Sequence, residues 1–172
     1  PESRKNDVVL LDPGDFLYPF GLNILEFDKD EQRQSIVKEL KAIFKRLITE
    51  YYSLPGEYAG PVFFQHVQNN MLLTMSDSNN PGTLMEFYNI FQSRDYWRRW
   101  LPLKWQSAAL ESWCNVLERS NYSAVDKGQR VGDYYSSKFE DFINDPRLAN
   151  ILGQPRSTIN INKIIEENKI ML

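Results

Sequence analysis

The chain has 172 residues, of which 42% are hydrophobic, 25% charged and 13% aromatic, and its formal net charge is −3. A chain of this size can bury about 70% of the surface that it exposes when unfolded, so its core needs no disulfides or metal ions, and intrinsic disorder is not expected. The small net charge excludes a positive potential over the whole molecule, but it leaves room for a local basic patch that could meet nucleic acid.

Cysteine and histidine each occur once, as Cys114 and His66. Zinc-finger spacings, paired-cysteine redox centres and two-histidine zinc sites are therefore excluded. Cys114 is predicted to be a buried structural thiol, and His66 to be a packed or partly exposed side chain rather than a proton shuttle. No apolar run approaches the roughly 20 residues of a membrane span. We expect no membrane contact and a reducing, cytoplasmic location.

The first predicted element is a short strand from Val8 to Leu11, which the Asp-Pro-Gly-Asp turn of residues 12–15 closes. Its apolar residues are continuous rather than alternating, which favours a parallel strand covered on both faces. Little in the next hundred residues resembles a strand, so its partners are expected near the C-terminus or outside the chain. Residues 16–27 are predicted to form an extended connector.

Apolar residues at helical spacing dominate the centre of the chain. The first helix is predicted from a capping-box-like start at Asp28 and Glu31 to Tyr51. The second begins with Pro61, after the Leu-Pro-Gly break of residues 54–56. The centre is expected to be helical throughout.

Four further helical segments are predicted before Pro146. A capping box at Thr83 and Glu86 begins one of them. The other three are a short segment over 95–101, a helix around 110–117 and a helix over 131–143 that the Asn-Asp-Pro sequence of residues 144–146 ends.

Strand patterns return after Gly153. Residues 157–161 alternate like a strand, Asn162 can cap a brief helix through Glu167, and residues 169–172 begin another strand. The expected fold is mainly α, a bundle of about five to seven helices with short β-strands at both ends as remnants of a parent α/β sheet. The expected organisation is one compact unit with three parts: a strand and connector over 1–27, an all-helical subdomain over 28–153 and return strands over 154–172.

The sequence lacks the motifs of common catalytic sites. None of the eight glycines begins a G-x-x-x-x-G-K-[ST] or G-x-G-x-x-G pattern, no apolar run ends in Asp-Glu, and G-x-S-x-G is missing. We therefore predict no catalytic, cofactor-binding or metal-binding residue in this chain. A stand-alone enzyme is the least supported class, because sets of acid, base and nucleophile are missing.

Residues 94–105 concentrate four basic and four aromatic residues. Cations could bind phosphates while rings stack on bases or pack on a protein partner. The alternative is an amphipathic helix that buries Trp97 and Trp100 and leaves Arg98 and Arg99 solvated. The candidate contact residues for DNA or a partner are Arg94, Trp97, Arg98, Arg99, Trp100 and Lys104.

Asp12 and Asp15 flank the end of the first strand, where α/β proteins place ligands. Their carboxylates could face a nucleotide, a metal ion or a neighbouring subunit. The alternative is turn chemistry, in which each Asp caps local amide groups.

Residues 6–15 (NDVVLLDPGD) and 18–26 (YPFGLNILE) resemble a segment of the HerA/FtsK-superfamily DNA-pumping ATPases, particularly the TraG/TraD-type coupling proteins of conjugation and their HerA-like relatives. In that family a strand ends in Asp-Pro, and a P-x-G-x-N-P-L-E stretch leads into a helical insertion; Ile24 stands here in place of the second proline. Shorter similarities are EYAGP at 57–61, with Ala59 where the family has Trp, PGTL at 81–84, ILGQ at 151–154 and the return strand at 157–172.

The resemblance implies that the phosphate-binding loop lies before Pro1 and the Walker B acid after Leu172. ATP and Mg²⁺ would then bind in the intact parent, a homohexameric DNA-translocating motor that works at the inner face of the cell membrane. The chain starts without Met and ends in an apolar run, which also indicates a piece of a larger protein.

Within such a parent, the chain would be the recognition or gating insertion for conjugative, type IV secretion-like DNA transfer. It would contact DNA, relaxosome-type DNA-processing proteins or secreted proteins. The alternative is a stand-alone helical protein-interaction adaptor without motor activity.

Overall fold

The computed structural model describes residues 2–51, 59–126 and 129–172. They form a mainly helical fold with short strands at the two chain ends, as the sequence predicts. The described residues hold eight α-helices: α1 (Gln32–Arg46), α2 (Pro61–Thr74), α3 (Leu84–Gln92), α4 (Ala108–Arg119), α5 (Val131–Ser136), α6 (Glu140–Asn144), α7 (Pro146–Leu152) and α8 (Ile161–Glu166). Two 3-10 helices, Glu2–Asp7 and Tyr96–Trp100, and a π-helical turn, Leu47–Tyr51, complete the helical elements.

The chain ends meet in a two-stranded parallel sheet of β1 (Val8–Val9) and β4 (Ile170–Met171). The N–H of Leu11 extends the pairing by donating to the carbonyl of Leu172 over 2.7 Å. The predicted parallel partner near the C-terminus is therefore confirmed. Burial on both faces is not, because Leu10 is 73% exposed.

A second small sheet interrupts the helices. β2 (Val125–Asp126) and β3 (Gln129–Arg130) pair in antiparallel register just before α5. The centre is thus not helical throughout.

Helix starts agree with the sequence at α2 and α3 and differ at α1. Pro61 is the first residue of α2, and Thr83 with Glu86 forms the capping box of α3. The predicted box at Asp28 and Glu31 is wrong, because α1 begins at Gln32 and its side chain accepts hydrogen bonds from the Asp28 and Lys29 N–H groups. The predicted break at residues 54–56 lies outside the described residues.

The predicted helix over 131–143 is two helices, α5 and α6, separated by a turn. The N–H of Phe139 donates to the carbonyl of Ser136 over 2.8 Å, and this turn places the Phe139 ring in the core. After α6, the carboxylate of Asp145 accepts from the Arg147 N–H and Pro146 begins α7. The Asn-Asp-Pro sequence therefore ends one helix and starts another, which the sequence analysis missed.

The predicted strand at 157–161 is wrong. Its polar groups bond to the connector instead: the Gly21 N–H donates to Thr158 Oγ1, and the Thr158 N–H donates to the Gly21 carbonyl. The helix that follows, α8, is capped by Asn160, whose side chain accepts from the Lys163 N–H, and not by Asn162.

Aromatic rings from α2, α3, α5 and the turn before α6 form the centre of the core. The Phe87 and Phe139 rings meet edge to face at 5.0 Å, and the Phe91 and Tyr135 rings stack at 5.1 Å. Phe63 of α2 stacks on Tyr135 at 5.7 Å. These rings join helices that are widely separated in sequence.

Candidate functional site

The predicted contact segment contains the 3-10 helix Tyr96–Trp100, between α3 and α4. Basic and aromatic residues are neighbours along this short helix. One side of the helix faces the core, and the other faces solvent. Trp97 is 4% exposed, whereas Arg98 and Arg99 are exposed. The Trp97 ring is enclosed, as the amphipathic alternative expects, whereas Trp100 is half-buried. A partner contact by Trp97 stays a prediction.

Arg98 is already engaged by two acids of the same chain. Its Nη2 donates to both carboxylate oxygens of Glu118, at 2.8 and 2.7 Å, and its Nε donates to Asp95 at 3.0 Å. These bonds raise the pKa of the guanidinium. Arg98 links the 3-10 helix to α4, and its charge is offset before any partner arrives.

Three of the six candidates, Arg99, Trp100 and Lys104, line one cleft of about 500 Å³. The Arg99 guanidinium lies over the rings of Tyr96 and Trp100, at 4.8 and 5.8 Å from their centroids. Such contacts hold a cation in place while leaving it exposed. The structure thus presents two cations and one half-buried ring at a common opening.

Two acids and a close backbone approach also belong to this cleft. Asp77 and Glu86 are among its lining residues, so the opening carries mixed charge. The Glu86 carboxylate accepts from the N–H and hydroxyl of Thr83. A Cβ on Gly82 would lie 3.0 Å from Thr74 Cβ and 3.3 Å from the Trp100 ring, so a larger residue there requires a small displacement of a neighbour.

Arg94 is not among the residues that line this cleft. It is exposed, just beyond the end of α3, and has no hydrogen bond or ion pair within the described parts of the chain. Arg94 stays a candidate contact on its own, and only Arg99, Trp100 and Lys104 are gathered into one site.

Asp12 and Asp15 both bond to backbone amides of their own turn. One oxygen of Asp12 accepts from the Gly14 N–H at 2.7 Å. One oxygen of Asp15 accepts from the N–H groups of Leu17 and Tyr18, each at 2.9 Å. The turn alternative accounts for both side chains.

Sequence reasoning missed Arg33, which the fold buries. Its Nε donates to the Met75 carbonyl at 2.8 Å, and its Nη2 donates to Asp30 at 2.8 Å. The guanidinium also lies over the rings of Phe27 and Trp105, at 4.6 and 4.2 Å. The signal was available: Arg33 is four residues before Val37, on the apolar face of α1.

His66 and Cys114 lie at the border of the core. His66 stacks on Tyr135 at 4.8 Å, and its Nδ1 is 2.8 Å from the Tyr122 hydroxyl oxygen. Burial lowers the pKa of His66, so the neutral ring is favoured. Burial raises the pKa of the Cys114 thiol, which is partly rather than fully enclosed. The packed reading of His66 is confirmed.

The comparisons with known proteins identify no relative: no family model, curated protein or solved structure matches the chain. Among the described residues, no group of three or more His, Cys, Asp or Glu side chains could hold a metal ion. None of the helices in the described ranges combines the length and apolar character of a membrane crossing.

Proposed function

We propose that this chain is the helical recognition insertion of an ATP-driven DNA-translocating motor of the HerA/FtsK type, and that it works in conjugative, type IV secretion-like transfer. The parallel pairing of β1 with β4 carries this proposal. The helices between these strands form a long crossover connection, as parallel neighbours require.

The exposure of apolar side chains next to β1 and β4 supports the same proposal. Parallel sheets are normally covered on both faces by helices. Here Leu10 and Leu172 are 73% and 66% exposed, and within the described residues the two strands pair only with each other. Further strands and helices of a parent α/β core would cover these side chains.

Nucleotide chemistry belongs to the proposed parent and not to this chain. The sequence contains no phosphate-binding loop and no Asp-Glu strand end, so its residues do not fit ATP with Mg²⁺. What this chain supplies is the cleft that Arg99, Trp100 and Lys104 line. Its role is to recognise a partner and to transmit that contact through the two terminal strands.

For that partner we infer a protein surface rather than bare DNA. Asp77 and Glu86 face the same opening as Arg99 and Lys104, and Arg98 is paired with Glu118. A phosphate backbone would meet those acids with repulsion, whereas a protein can match both signs of charge. DNA-processing or secreted proteins fit this description.

The test is made on the full-length gene product. We expect it to assemble as a hexamer and to hydrolyse ATP in the presence of DNA. The double variant Arg99→Ala and Lys104→Ala should keep that hydrolysis, because neither residue is near a nucleotide in the proposed arrangement. A product that neither binds ATP nor assembles would reject the motor and leave the stand-alone adaptor.

DNA binding by the chain itself separates the two kinds of partner. We expect single-stranded and duplex DNA to bind weakly at both low and high salt. Tight binding that falls steeply with salt and is lost in the double variant would contradict the protein partner and favour DNA.

A further inference from the structure

The single histidine belongs to a small polar group at the edge of the aromatic core. His66 and Asn70 are four residues apart on α2, so their side chains lie on one face of that helix. His66 Nδ1 is 2.8 Å from the Tyr122 hydroxyl oxygen. Trp113 of α4 donates from Nε1 to Asn70 Oδ1 at 2.8 Å. Asn70 is 0% and Tyr122 3% exposed, so the polar atoms of these two side chains need partners from the protein.

The Tyr122 hydroxyl is a donor in this group. Burial raises the pKa of Tyr122, so the hydroxyl keeps its proton near neutral pH. The Asn70 side chain partly offsets that rise, which is the effect of an N–H group that points towards the phenol oxygen. Asn70 Oδ1 is already bonded to Trp113. Asn70 therefore offers a donor to Tyr122, and His66 Nδ1 is left as the acceptor for the hydroxyl proton.

This direction decides which nitrogen of the neutral His66 ring carries the proton. A neutral imidazole has one N–H group, either on Nδ1 or on Nε2. With the proton on Nδ1, two N–H groups would point at the Tyr122 oxygen, and the buried O–H would have no acceptor within the described residues. With the proton on Nε2, the bond between Tyr122 and His66 is satisfied. The geometry therefore places the proton of the neutral ring on Nε2.

Tyr122 also connects the segment after α4 to the start of α5. Its carbonyl accepts from the N–H of Gly132, in the first turn of α5, at 2.8 Å. Its ring meets the Phe91 and Tyr135 rings edge to face, at 5.3 and 5.5 Å. A change in the hydrogen bond of the Tyr122 hydroxyl therefore acts on a residue that holds α5 in place.

We propose that His66 and Tyr122 form a pH-sensitive switch: the neutral ring accepts the hydroxyl proton at Nδ1, and the imidazolium, which carries a proton there, releases the hydroxyl. The titratable groups that face His66 are Tyr122, before β2, and Tyr135 of α5, stacked on it at 4.8 Å; Trp113 of α4 meets it edge to face at 4.8 Å. None of these three is charged near neutral pH. The switch goes beyond the proposed function, because it does not depend on a parent motor.

The test is nuclear magnetic resonance of the 15N-labelled chain, in which His66 is the only imidazole. At pH 7.5 we expect a long-range 1H–15N spectrum with Nε2 protonated and Nδ1 unprotonated. As the pH falls, the imidazole and the Gly132 amide should titrate with one common pKa. Tyr122→Phe removes the bond that favours the neutral ring, so the pKa of His66 should rise by about 0.5–1. Tyr18→Phe, at an 84% exposed tyrosine, is the matched control and should leave that pKa unchanged.

Each result supports or overturns the switch. A proton on Nδ1 at pH 7.5 would overturn it, as would a pKa of His66 that falls or stays the same in Tyr122→Phe, because the ring would then not be the acceptor. A Gly132 amide that does not follow the His66 titration, or an equal change in Tyr18→Phe, would also reject it. If Tyr122→Phe fails to fold, the protonated nitrogen and the Gly132 titration of the unchanged chain still decide the proposal.

Discussion

The aromatic core of this molecule buries its apolar side chains, whereas the region around the terminal strands, the terminal ladder, leaves them exposed. In the aromatic core, formed by rings of α2, α3, α5 and the turn before α6, Phe87 and Phe139 are fully buried. In the terminal ladder, which we define as β1, β4 and residues 10–18, Leu10, Phe16 and Leu17 are 73%, 57% and 84% exposed. The aromatic core buries its apolar side chains within this chain, and the terminal ladder does not.

The difference assigns separate roles to the two regions. Burial of apolar surface is the main favourable term in folding, so the aromatic core supplies most of the stability of the described chain. The terminal ladder supplies backbone pairing and a row of uncovered apolar side chains. In the proposed function this region joins the chain to its parent, and changes in it should have small effects on the stability of the isolated chain.

The largest expected effect comes from one Phe→Ala change in each region. Phe139→Ala should lower the free energy of unfolding by about 3–5 kcal/mol, because the ring packs against Phe44, Phe63 and Phe87 and its loss leaves a cavity. Phe16→Ala is the control, and its effect should stay within about 0.5 kcal/mol. Urea unfolding followed by circular dichroism measures both. Similar losses for the two variants would show that the terminal ladder is as well packed as the core.

A glycine in each region gives the next comparison. A Cβ on Gly132 would lie 2.0 Å from the carbonyl oxygen of Phe91, so Gly132→Ala must push α5 away from α3 and should cost about 1–3 kcal/mol. At Gly14 a Cβ would meet only the side chain of Asp12, at 3.1 Å, and Gly14→Ala should be nearly neutral. Thermal unfolding of the two variants measures the difference. Equal melting temperatures would contradict the tight approach of α5 to α3.

Much of the aromatic core could be predicted from the sequence because helical periodicity is a local signal. The starts of α2 and α3 follow from Pro61 and from the Thr83 capping box, and both are confirmed. The parallel partner of β1 was also foreseen, since the continuous apolar run from Val8 to Leu11 is typical of parallel strands.

The errors arise where a long-range contact competes with a local pattern. Residues 157–161 alternate like a strand, but Ser157 and Thr158 use their hydroxyls to accept from the connector N–H groups of Asn23 and Gly21. At the start of α1, the side chain of Gln32 accepts from the Asp28 N–H, which Glu31 would have bound in a capping box, and from the Lys29 N–H. Periodicity does not reveal which of several polar side chains reaches a given amide.

The residue types of the candidate site could be predicted from the sequence, but their arrangement in space could not. The cations and rings of residues 94–105 are what selected this segment as the candidate. Only the fold shows that Trp97 is buried, that Arg98 is paired with Glu118 and that Arg99 and Lys104 share a cleft. The partners of these side chains come from α4 and from the loop after α2, which are distant in sequence.

Helix caps allow a finer comparison of the core with the C-terminal part of the chain. Thr83 is buried and accepts from the Met85 N–H at the start of α3, so Thr83→Ala should cost about 1–2 kcal/mol. Asn160 caps α8 but is exposed, and Asn160→Ala should lower the free energy of unfolding by about 0.5 kcal/mol. Urea midpoints of the two variants measure the costs. A larger loss for Asn160→Ala would mean that α8 belongs to the same cooperative unit as α3.

The smallest expected effect is the pH dependence of stability. It reports on the aromatic core, because the only histidine, His66, packs there. Burial lowers its pKa below the ordinary 6.5, so the unfolded chain takes up a proton at a higher pH than the folded chain does. Stability is therefore full above about pH 6.5 and falls as the pH drops through that value towards the lower pKa of the folded state. Urea unfolding at pH 7.5, 6.5 and 5.5 should show this fall, and His66→Gln should flatten it. If the pH dependence of stability is unchanged in His66→Gln, the group that titrates is not His66 and is therefore not a histidine.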